Sequence, residues 1–276
     1  MGIITVGQEN STPIDIYYED HGSGPVVVLS HGWPLNGASW EKQTAALLDA
    51  GHRVITYDRR GFGKSSQPST GYDYDSFADD LHTLVTELDL RDFALVGFSM
   101  GSAEVAGYIG KYGTERLSHA VFIGVLPPFL LRTDDNPGGV DPSVFEGIRQ
   151  GIMDDRPAFF KEFLANFYNL DVLRGMRVSK EALWASWNVA MMASAKGTLD
   201  CVQAWLTDFR TAVARVDVPT LIIHGSEDRI LPIDATAIPL SKMIDGSRLV
   251  VIEGAPHGLL LTHAAEVNEE LVAFLA

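Results

Sequence analysis

Apolar and polar residues alternate near the N-terminus and give way to continuous apolar runs further along the chain. Ile14, Ile16 and Tyr18 alternate with residues of the opposite face, which is the period-2 pattern of a half-buried antiparallel strand. The later runs lack this alternation, as expected for strands that are buried on both faces of a parallel sheet. These runs are 26–29, 54–57, 93–98, 120–125, 220–224 and 249–252.

Helical patterns separate most of these strands. Phe77, Leu81 and Leu84 recur at three- and four-residue spacing, so they mark one apolar face of an amphipathic helix. A similar stripe near the C-terminus marks a closing helix. Regular alternation of strand and helix predicts an α/β fold with a mostly parallel, doubly wound sheet and right-handed crossovers. The predicted helices cover 40–48, 77–88, 100–112 and 264–274.

The alternation stops at the Pro-Pro pair at 127–128, and no strand-like run follows it before about residue 195. This segment begins with a polar loop and continues with helical stretches that are rich in aromatic residues. We therefore expect residues 1–126 and 196–276 to form the core, with a helical cap inserted over 127–195. Most of its aromatic side chains should form the interior of the cap, and a minority should contact substrate. They are Phe145, Phe159, Phe160, Phe163, Phe167, Trp184 and Trp187.

The chain has 276 residues and a formal net charge of −15. This excess of negative charge argues against a surface that binds nucleic acid or anionic lipid, because those partners are themselves negatively charged. The N-terminus shows no secretion signal, and no apolar run approaches the ~20 residues of a membrane helix. We expect a soluble, cytoplasmic protein without nucleic-acid or membrane partners. The single cysteine, Cys201, is expected to be a small buried apolar residue.

The sequence Gly-Phe-Ser-Met-Gly at 97–101 follows the apolar strand 93–98 and precedes a predicted helix. A strand that enters a Gly-x-Ser-x-Gly turn is the nucleophile elbow of serine hydrolases. The serine must lie on a strained corner between strand and helix, and side chains at the two glycine positions would collide with the neighbouring elements. The sequence therefore predicts Ser99 as a catalytic nucleophile.

A serine hydroxyl needs an adjacent base, and the base needs a carboxylate that orients it. In a doubly wound sheet, functional residues gather at the carboxyl ends of the strands. Asp228 follows the strand 220–224 and His257 follows the strand 249–252. The chain order is then Ser, Asp, His, which is the order found in α/β-hydrolases. This order predicts His257 as the base and Asp228 as its orienting acid.

Other residues compete for two of these roles. Glu227 lies beside Asp228 and could orient the histidine, although a shorter side chain is what such folds usually place there. His31 and His224 also lie at strand ends, and we expect each to be structural and hydrogen-bonded within its loop. His257 differs from them because it follows the last strand on a loop flanked by glycine.

An acyl-enzyme route passes through an oxyanion, which two backbone N–H groups must stabilise. We predict Met100 as one donor, because it directly follows the nucleophile at the start of a helix. The loop Ser-His-Gly-Trp-Pro at 30–34 follows the strand 26–29 and supplies Trp33 as the other donor. Pro34 has no N–H to donate, but its ring restricts the backbone of Trp33 before it.

The Asp-Arg-Arg run at 58–60 resembles an anion site only superficially. It follows a strand and precedes a Gly-Phe-Gly turn, so we interpret it as a structural turn whose arginines are paired with carboxylates. No segment resembles a phosphate-binding loop, a dinucleotide fingerprint or a zinc motif. The sequence therefore implies no cofactor and no metal.

Four motifs together resemble one family. They are His-Gly-Trp-Pro at 31–34, Asp-Arg-Arg-Gly-Phe-Gly-Lys-Ser at 58–65, the elbow at 97–101 and Gly-Ala-Pro-His-Gly at 254–258. On these motifs the chain is similar, over nearly its whole length, to the cofactor-free (non-haem) haloperoxidase, aryl esterase and γ-lactamase group of the α/β-hydrolase fold. Ser102 stands where relatives often have threonine or glycine, which leaves the substrate range open.

The resemblance implies a serine hydrolase that acts on small carboxylic esters, and some relatives also open γ-lactams. With hydrogen peroxide and a short carboxylic acid, such enzymes form a peracid that oxidises halide without metal or haem. The resemblance further implies a homo-oligomer, either a trimer or a multiple of one. We expect the substrate pocket to be lined by Pro34, Leu126, Phe129, Leu130 and Ile230.

Two alternatives are weighed against this reading. Epoxide hydrolases and haloalkane dehalogenases share the fold but use an aspartate nucleophile, which the serine at position 99 disfavours. A small-molecule receptor that keeps the three catalytic residues is an alternative of another class, because fold alone does not determine function. Repeated turnover of a chromogenic ester would favour the enzyme, and single turnover with ligand-dependent partner binding would favour the receptor.

Overall fold

The computed structural model describes residues 1–276, in which eight strands form one sheet and helices connect them. The strands are β1 (Gly2–Glu9), β2 (Thr12–His21), β3 (Val26–Ser30), β4 (Arg53–Tyr57), β5 (Phe93–Phe98), β6 (Leu117–Ile123), β7 (Thr220–Gly225) and β8 (Arg248–Ile252). The helices are α1 (Glu41–Asp49), α2 (Tyr74–Glu87), α3 (Met100–Tyr112), α4 (Pro142–Phe167), α5 (Leu170–Leu173), α6 (Lys180–Met192), α7 (Ala195–Ala204), α8 (Arg210–Val213), α9 (Ala237–Met243), α10 (Leu259–Thr262) and α11 (Ala264–Leu275).

The strand order across the sheet is β1-β2-β4-β3-β5-β6-β7-β8. β2 runs antiparallel to both β1 and β4, and every pair from β4 to β8 is parallel. All six residues of the central strand β5 are buried, because helices cover both faces of the parallel part. The predicted fold class, an α/β fold with a mostly parallel, doubly wound sheet, is confirmed.

The edge strand β1 is absent from the elements predicted from the sequence. Alternate residues of β1 are partly buried and none is fully buried, so its apolar pattern is weak. A two-residue turn joins it to β2, and the turn residues Asn10 and Ser11 both have positive φ, 50° and 65°. This left-handed backbone matches the twist of a tight hairpin, and asparagine tolerates it well. The hairpin therefore depends on a turn signal that the apolar pattern does not show.

The sheet register brings six loops to one edge. β5 lies between β3 and β6, with Ser30 paired to Gly97 and Phe98 paired to Ile123. Because these strands and their neighbours β4, β7 and β8 are parallel, their carboxyl ends all lie at the same edge of the sheet. The loops that follow β3, β4, β5, β6, β7 and β8 therefore meet there.

Residues 127–195 contain α4, α5 and α6 together with isolated β-bridges, and no strand. α4 is interrupted at Asp155 (φ −156°, ψ 85°), close to the helix-breaking Pro157. After this kink, Phe160 and Phe163 pack edge-on against Trp33, with 5.2 and 5.1 Å between ring centroids. This part of the chain therefore lies over the sheet edge where the loops meet. The division of the chain at 127 and 195 stays a prediction.

The charges of the turn at 58–60 are paired in the interior. Arg59 Nη2 lies 2.5 Å from Glu104 Oε2 of α3, and Arg60 Nη2 lies 2.5 Å from Asp80 Oδ1 of α2. All four side chains are buried, so these pairs hold the turn against two helices. Cys201 is also fully buried, and burial raises the pKa of its thiol. None of the helices has both the length and the apolar composition needed to cross a bilayer.

Candidate active site

The turn between β5 and α3 presents Ser99 on a strained backbone. Its φ and ψ are 55° and −120°, a left-handed conformation that a residue with a side chain rarely adopts. The close packing around it requires glycine. A Cβ at Gly97 would collide with the carbonyl oxygen of Gly101, and a Cβ at Gly101 would collide with that of Ser30. The Gly-x-Ser-x-Gly pattern is thus explained by contact between the turn, the helix and β3.

The structure brings Ser99, Asp228 and His257 into one hydrogen-bonded chain. His257 Nε2 lies 2.8 Å from Ser99 Oγ, and His257 Nδ1 lies 2.6 Å from Asp228 Oδ2. An ionised carboxylate can only accept, so Nδ1 carries the proton and Nε2 is free to accept from the serine hydroxyl. The three side chains come from three separate loops and are all buried. This arrangement is that of a nucleophile, a base and an orienting acid.

The carboxylate of Asp228 is held by four donors or charges. Burial by itself raises the pKa of Asp228. The electrostatic attraction of His257 and the hydrogen bond from His257 oppose this effect, with smaller contributions from His224 and the Leu231 amide. Together they lower the pKa of Asp228 below its usual range. The amides of Ile230 and Leu231 both donate to Oδ1, at 2.9 and 2.8 Å. Asp228 is therefore ionised at neutral pH. The neighbouring Glu227 is exposed and makes no side-chain contact with His257.

The end of α4 supports both loops that carry the acid and the base. Phe167 O accepts from the amide of Gly258, next to His257, at 2.7 Å. Asn169 Nδ2 donates to the carbonyl of Glu227, next to Asp228, at 2.9 Å. The ring of Phe167 also packs edge-on against the His257 ring, 4.9 Å between centroids. The sequence indicated aromatic residues in this segment but not which one would reach the histidine.

The two predicted oxyanion donors flank the nucleophile. Met100 is the first residue of α3, so its N–H has no carbonyl partner within the helix. The N–H of Trp33 makes no hydrogen bond within the chain. A Cβ added at Gly32 would lie 3.0 Å from the Cβ of Ser99, so the backbone before Trp33 runs directly against the nucleophile. Both N–H groups are thus unpaired beside the serine.

A small cavity of about 50 Å³ opens onto Ser99, and all but one of its lining residues are apolar. Three of the predicted pocket residues, Leu126, Leu130 and Ile230, line it. Sequence reasoning did not find Val140, Val144, Ile148, Trp205 and Leu231, which complete the wall with Trp33, Met100, Phe145 and Phe163. With no charged group in its wall, the cavity suits an uncharged apolar group.

Two predicted pocket residues do not line this cavity. Phe129 lies instead with its ring beneath the Arg210 guanidinium, 4.9 Å from the ring centroid. That position gives the ring a cation–π contact. Pro34 is buried and is also absent from the wall. The place of these two residues in the substrate pocket stays a prediction.

Comparison with known proteins agrees with this geometry. The sequence model of the family described as alpha/beta hydrolase fold matches residues 25–264. The chain belongs to the α/β-hydrolase fold family.

Similar proteins place this α/β-hydrolase among the haloperoxidases and esterases. A Synechocystis protein, provisionally named a non-heme chloroperoxidase, is 64% identical over 275 residues and covers 100% of both chains. A bromoperoxidase structure from Bacillus anthracis has a TM-score of 0.96 and 48% identity, and covers 99% of each chain. A bifunctional esterase/perhydrolase of Acinetobacter calcoaceticus is 34% identical over 266 residues, 95% of this chain and 96% of its own. The resemblance inferred from the motifs is confirmed, and the chain is an enzyme of this fold.

Ser102 connects the nucleophile of this α/β-hydrolase to the cavity wall. Its hydroxyl donates to the carbonyl of Ser99 at 2.5 Å and accepts from the amide of Leu126 at 3.0 Å. The residue is fully buried, so both bonds are shielded from water. A threonine could make the same bonds and a glycine could not.

The second strand-end histidine, His224, lies behind the acid. Its Nδ1 accepts from the amide of Val125 at 3.0 Å, so Nε2 carries the proton and donates to the carbonyl of Leu231 at 2.8 Å. Nε2 is also 3.3 Å from Asp228 Oδ2. Burial lowers the pKa of His224, against the opposing attraction of Asp228. A neutral His224 thus joins the loop after β6 to the loop after β7. Its role is structural as expected, but its hydrogen bonds are not confined to its own loop.

The described residues include no group of three or more His, Cys, Asp or Glu side chains close enough together to hold a metal ion.

Proposed function

We propose that the chain hydrolyses small carboxylic esters through an acyl-enzyme on Ser99. The observation that carries this proposal is the hydrogen-bonded chain from Ser99 through His257 to Asp228 beside a small apolar cavity. Relatives named esterases, including one named a bifunctional esterase/perhydrolase, support the same reaction class.

In the proposed reaction, Ser99 Oγ attacks the ester carbonyl carbon as its proton moves to His257 Nε2. The carbonyl oxygen becomes an oxyanion between the N–H groups of Trp33 and Met100. His257 then gives the proton to the departing alcohol, which leaves the acyl group on Ser99. Water, deprotonated by His257, attacks the acyl-enzyme and releases the carboxylic acid. Asp228 stays ionised and stabilises the imidazolium in both halves of the reaction.

The cavity predicts a preference for short acyl groups. Its volume of about 50 Å³ and its apolar wall suit an acyl chain of a few carbons. We expect kcat/KM for p-nitrophenyl esters to fall by about tenfold or more between the butanoyl and octanoyl esters. Ile148→Ala, which shortens a side chain in the wall, should restore part of the octanoyl activity. A γ-lactam belongs in the same panel, since its opening needs the same acyl-enzyme.

The same panel separates the enzyme from a receptor. An enzyme releases many product molecules per chain, whereas a receptor of this fold would stop after one. A higher kcat/KM for the octanoyl ester than for the butanoyl ester would contradict the assignment of the cavity as the acyl site.

We also propose that hydrogen peroxide replaces water as the second nucleophile. The carbonyl of Trp33 accepts no hydrogen bond within the chain, so it is free to bind a peroxide O–H. Pro34 restricts the backbone at this carbonyl. A carboxylic acid first acylates Ser99 and releases water. Hydrogen peroxide then attacks the acyl carbon, and His257 Nε2 takes a proton from the peroxide. The bond from the acyl carbon to Ser99 Oγ breaks, His257 returns the proton to Oγ, and the peracid is released.

The peracid should oxidise bromide in solution, giving hypobromous acid and the starting carboxylate. We expect monobromination of a diketone indicator, with peroxide and bromide present, in acetate buffer but not in phosphate buffer. The activity should survive EDTA and vanish in Ser99→Ala. Pro34→Ala should lower the ratio of perhydrolysis to hydrolysis. Equal bromination in both buffers would exclude the peracid route, and bromination in neither would leave an esterase alone.

A further inference from the structure

His31 is a fully buried histidine whose two ring nitrogens are both occupied. Nε2 lies 3.0 Å from the backbone nitrogen of Arg59, and Nδ1 lies 2.9 Å from the carbonyl oxygen of Gly32. A backbone N–H can only donate, so Nε2 must be the unprotonated acceptor. The proton of the neutral ring is then on Nδ1, which donates to the Gly32 carbonyl. Burial and the charge of Arg59 lower the pKa of His31 well below its usual value, so the ring is neutral at pH 7.

The carbonyl that His31 binds belongs to the same peptide unit as the Trp33 N–H. A peptide unit is planar, and in the trans form its C=O and N–H point in opposite directions. The peptide between Gly32 and Trp33 is trans, since the cis peptides lie elsewhere in the chain. Fixing the direction of the Gly32 carbonyl therefore fixes the direction of the Trp33 N–H.

Further hydrogen bonds hold this peptide unit and the one before it. The amide of Leu35 also donates to the Gly32 carbonyl, at 3.1 Å. The preceding carbonyl, that of His31, accepts from Arg59 Nη2 at 2.8 Å. The Arg59 guanidinium is in turn fixed by Glu104, with Nε 2.7 Å from Oε2. The loop is thus bonded to a buried ion pair. The His31 ring links the backbone of Arg59 to the Gly32 carbonyl through its two nitrogens.

We propose that His31 is a positioning residue that aims the Trp33 N–H at the oxyanion through the hydrogen bond from its Nδ1 to the Gly32 carbonyl. This role rests on the proposed function, because an oxyanion forms only if Ser99 attacks a carbonyl carbon. His31 touches neither substrate nor the reacting atoms. Its loss should therefore weaken binding of the transition state and leave binding of the ester nearly unchanged.

Two variants separate this role from a purely structural one. The amide of His31→Asn ends near the position of Nδ1 and keeps a donor for the Gly32 carbonyl. The longer His31→Gln places its oxygen near the position of Nε2, so it keeps the acceptor for the Arg59 amide and loses the donor. We expect His31→Gln to lower kcat by about ten- to a hundredfold, less than the 10²–10³ that loss of an oxyanion donor costs. KM should change little, and His31→Asn should keep most of the activity.

The rate of phosphonylation of Ser99 should follow kcat in both variants, because the phosphonate oxygen occupies the same site as the oxyanion. His119→Gln is the matched control, because it makes the same change near the N-terminal end of β6, away from the carboxyl-end loops. It should leave kcat unchanged. Equal losses of kcat in the two His31 variants, or a His31→Gln with normal kcat, would overturn the proposal. If Ser99→Ala is active in the same assay, the proposed function fails, whatever the His31 variants show.

A measurement on the unaltered protein covers the case in which the His31 variants do not fold. Nitrogen-15 NMR of histidine-labelled protein should show a buried, non-titrating ring that is protonated on Nδ1. His224, the other buried strand-end histidine, has the opposite tautomer, so the two are distinguishable. A His31 ring that is protonated on Nε2 would overturn the proposal.

Discussion

Replacing Ser99 by alanine is expected to lower kcat/KM for p-nitrophenyl acetate by about 10⁴- to 10⁶-fold, because the members of a catalytic triad act as a unit. The substitution removes one oxygen and adds no bulk, so the elbow and the cavity should keep their shape. The left-handed backbone at this position, φ 55°, is no less favourable for alanine than for serine. Circular dichroism and the thermal midpoint should match those of the unaltered protein.

A serine away from the site provides the matched control for this variant. The Ser118 hydroxyl, on β6, makes its side-chain hydrogen bond with the neighbouring His119, and Ser118→Ala should turn over the ester at the normal rate. A Ser99→Ala protein that is folded and keeps more than a small fraction of normal turnover would show that another group is the nucleophile.

The second large effect is expected from Asp228→Asn, which should lower kcat by about 10⁴-fold. An asparagine amide cannot stabilise the imidazolium by charge, and its NH₂ group would face the proton on His257 Nδ1. The ring would then turn or change tautomer, and Nε2 could no longer accept from Ser99. The amides of Ile230 and Leu231 can still donate to the remaining carbonyl oxygen, so the loop should stay folded.

Glu227→Gln is the matched control because it makes the same change at the adjacent, exposed position. Steady-state kinetics of both variants with one ester decide between the two carboxylates. Normal kcat for Asp228→Asn together with an inactive Glu227→Gln would mean that the acid has been misassigned.

The meeting of Ser99, Asp228 and His257 at one site could be predicted from the sequence because local sequence dictates their positions. The elbow glycines at 97 and 101 are required by steric contact, which leaves a readable motif. Asp228 and His257 follow recognisable buried strands, and parallel strands bring their carboxyl ends to one edge. Their meeting at 2.6 and 2.8 Å follows from topology, although the distances themselves do not.

The cavity wall could be predicted only in part, because it depends on how residues after 126 pack against the sheet. Most apolar residues in that segment must be buried, but the pattern of apolar positions does not identify the residues against which they pack. Phe129 is buried under Arg210, whereas Ile148 and Trp205 reach the nucleophile. The proposed role of His31 could not be predicted from the sequence for a similar reason. Its ring bonds involve the backbone of Arg59, from another loop.

The most direct test of the acyl-enzyme on Ser99 is intact-mass and peptide analysis after rapid acid quenching of the protein with p-nitrophenyl acetate. We predict one acetyl group per chain, on the peptide that contains Ser99, formed within the first turnover and absent from Ser99→Ala. His257→Ala should form it far more slowly. Turnover without a covalent adduct, or an acetyl group on any other residue, would contradict the proposed mechanism.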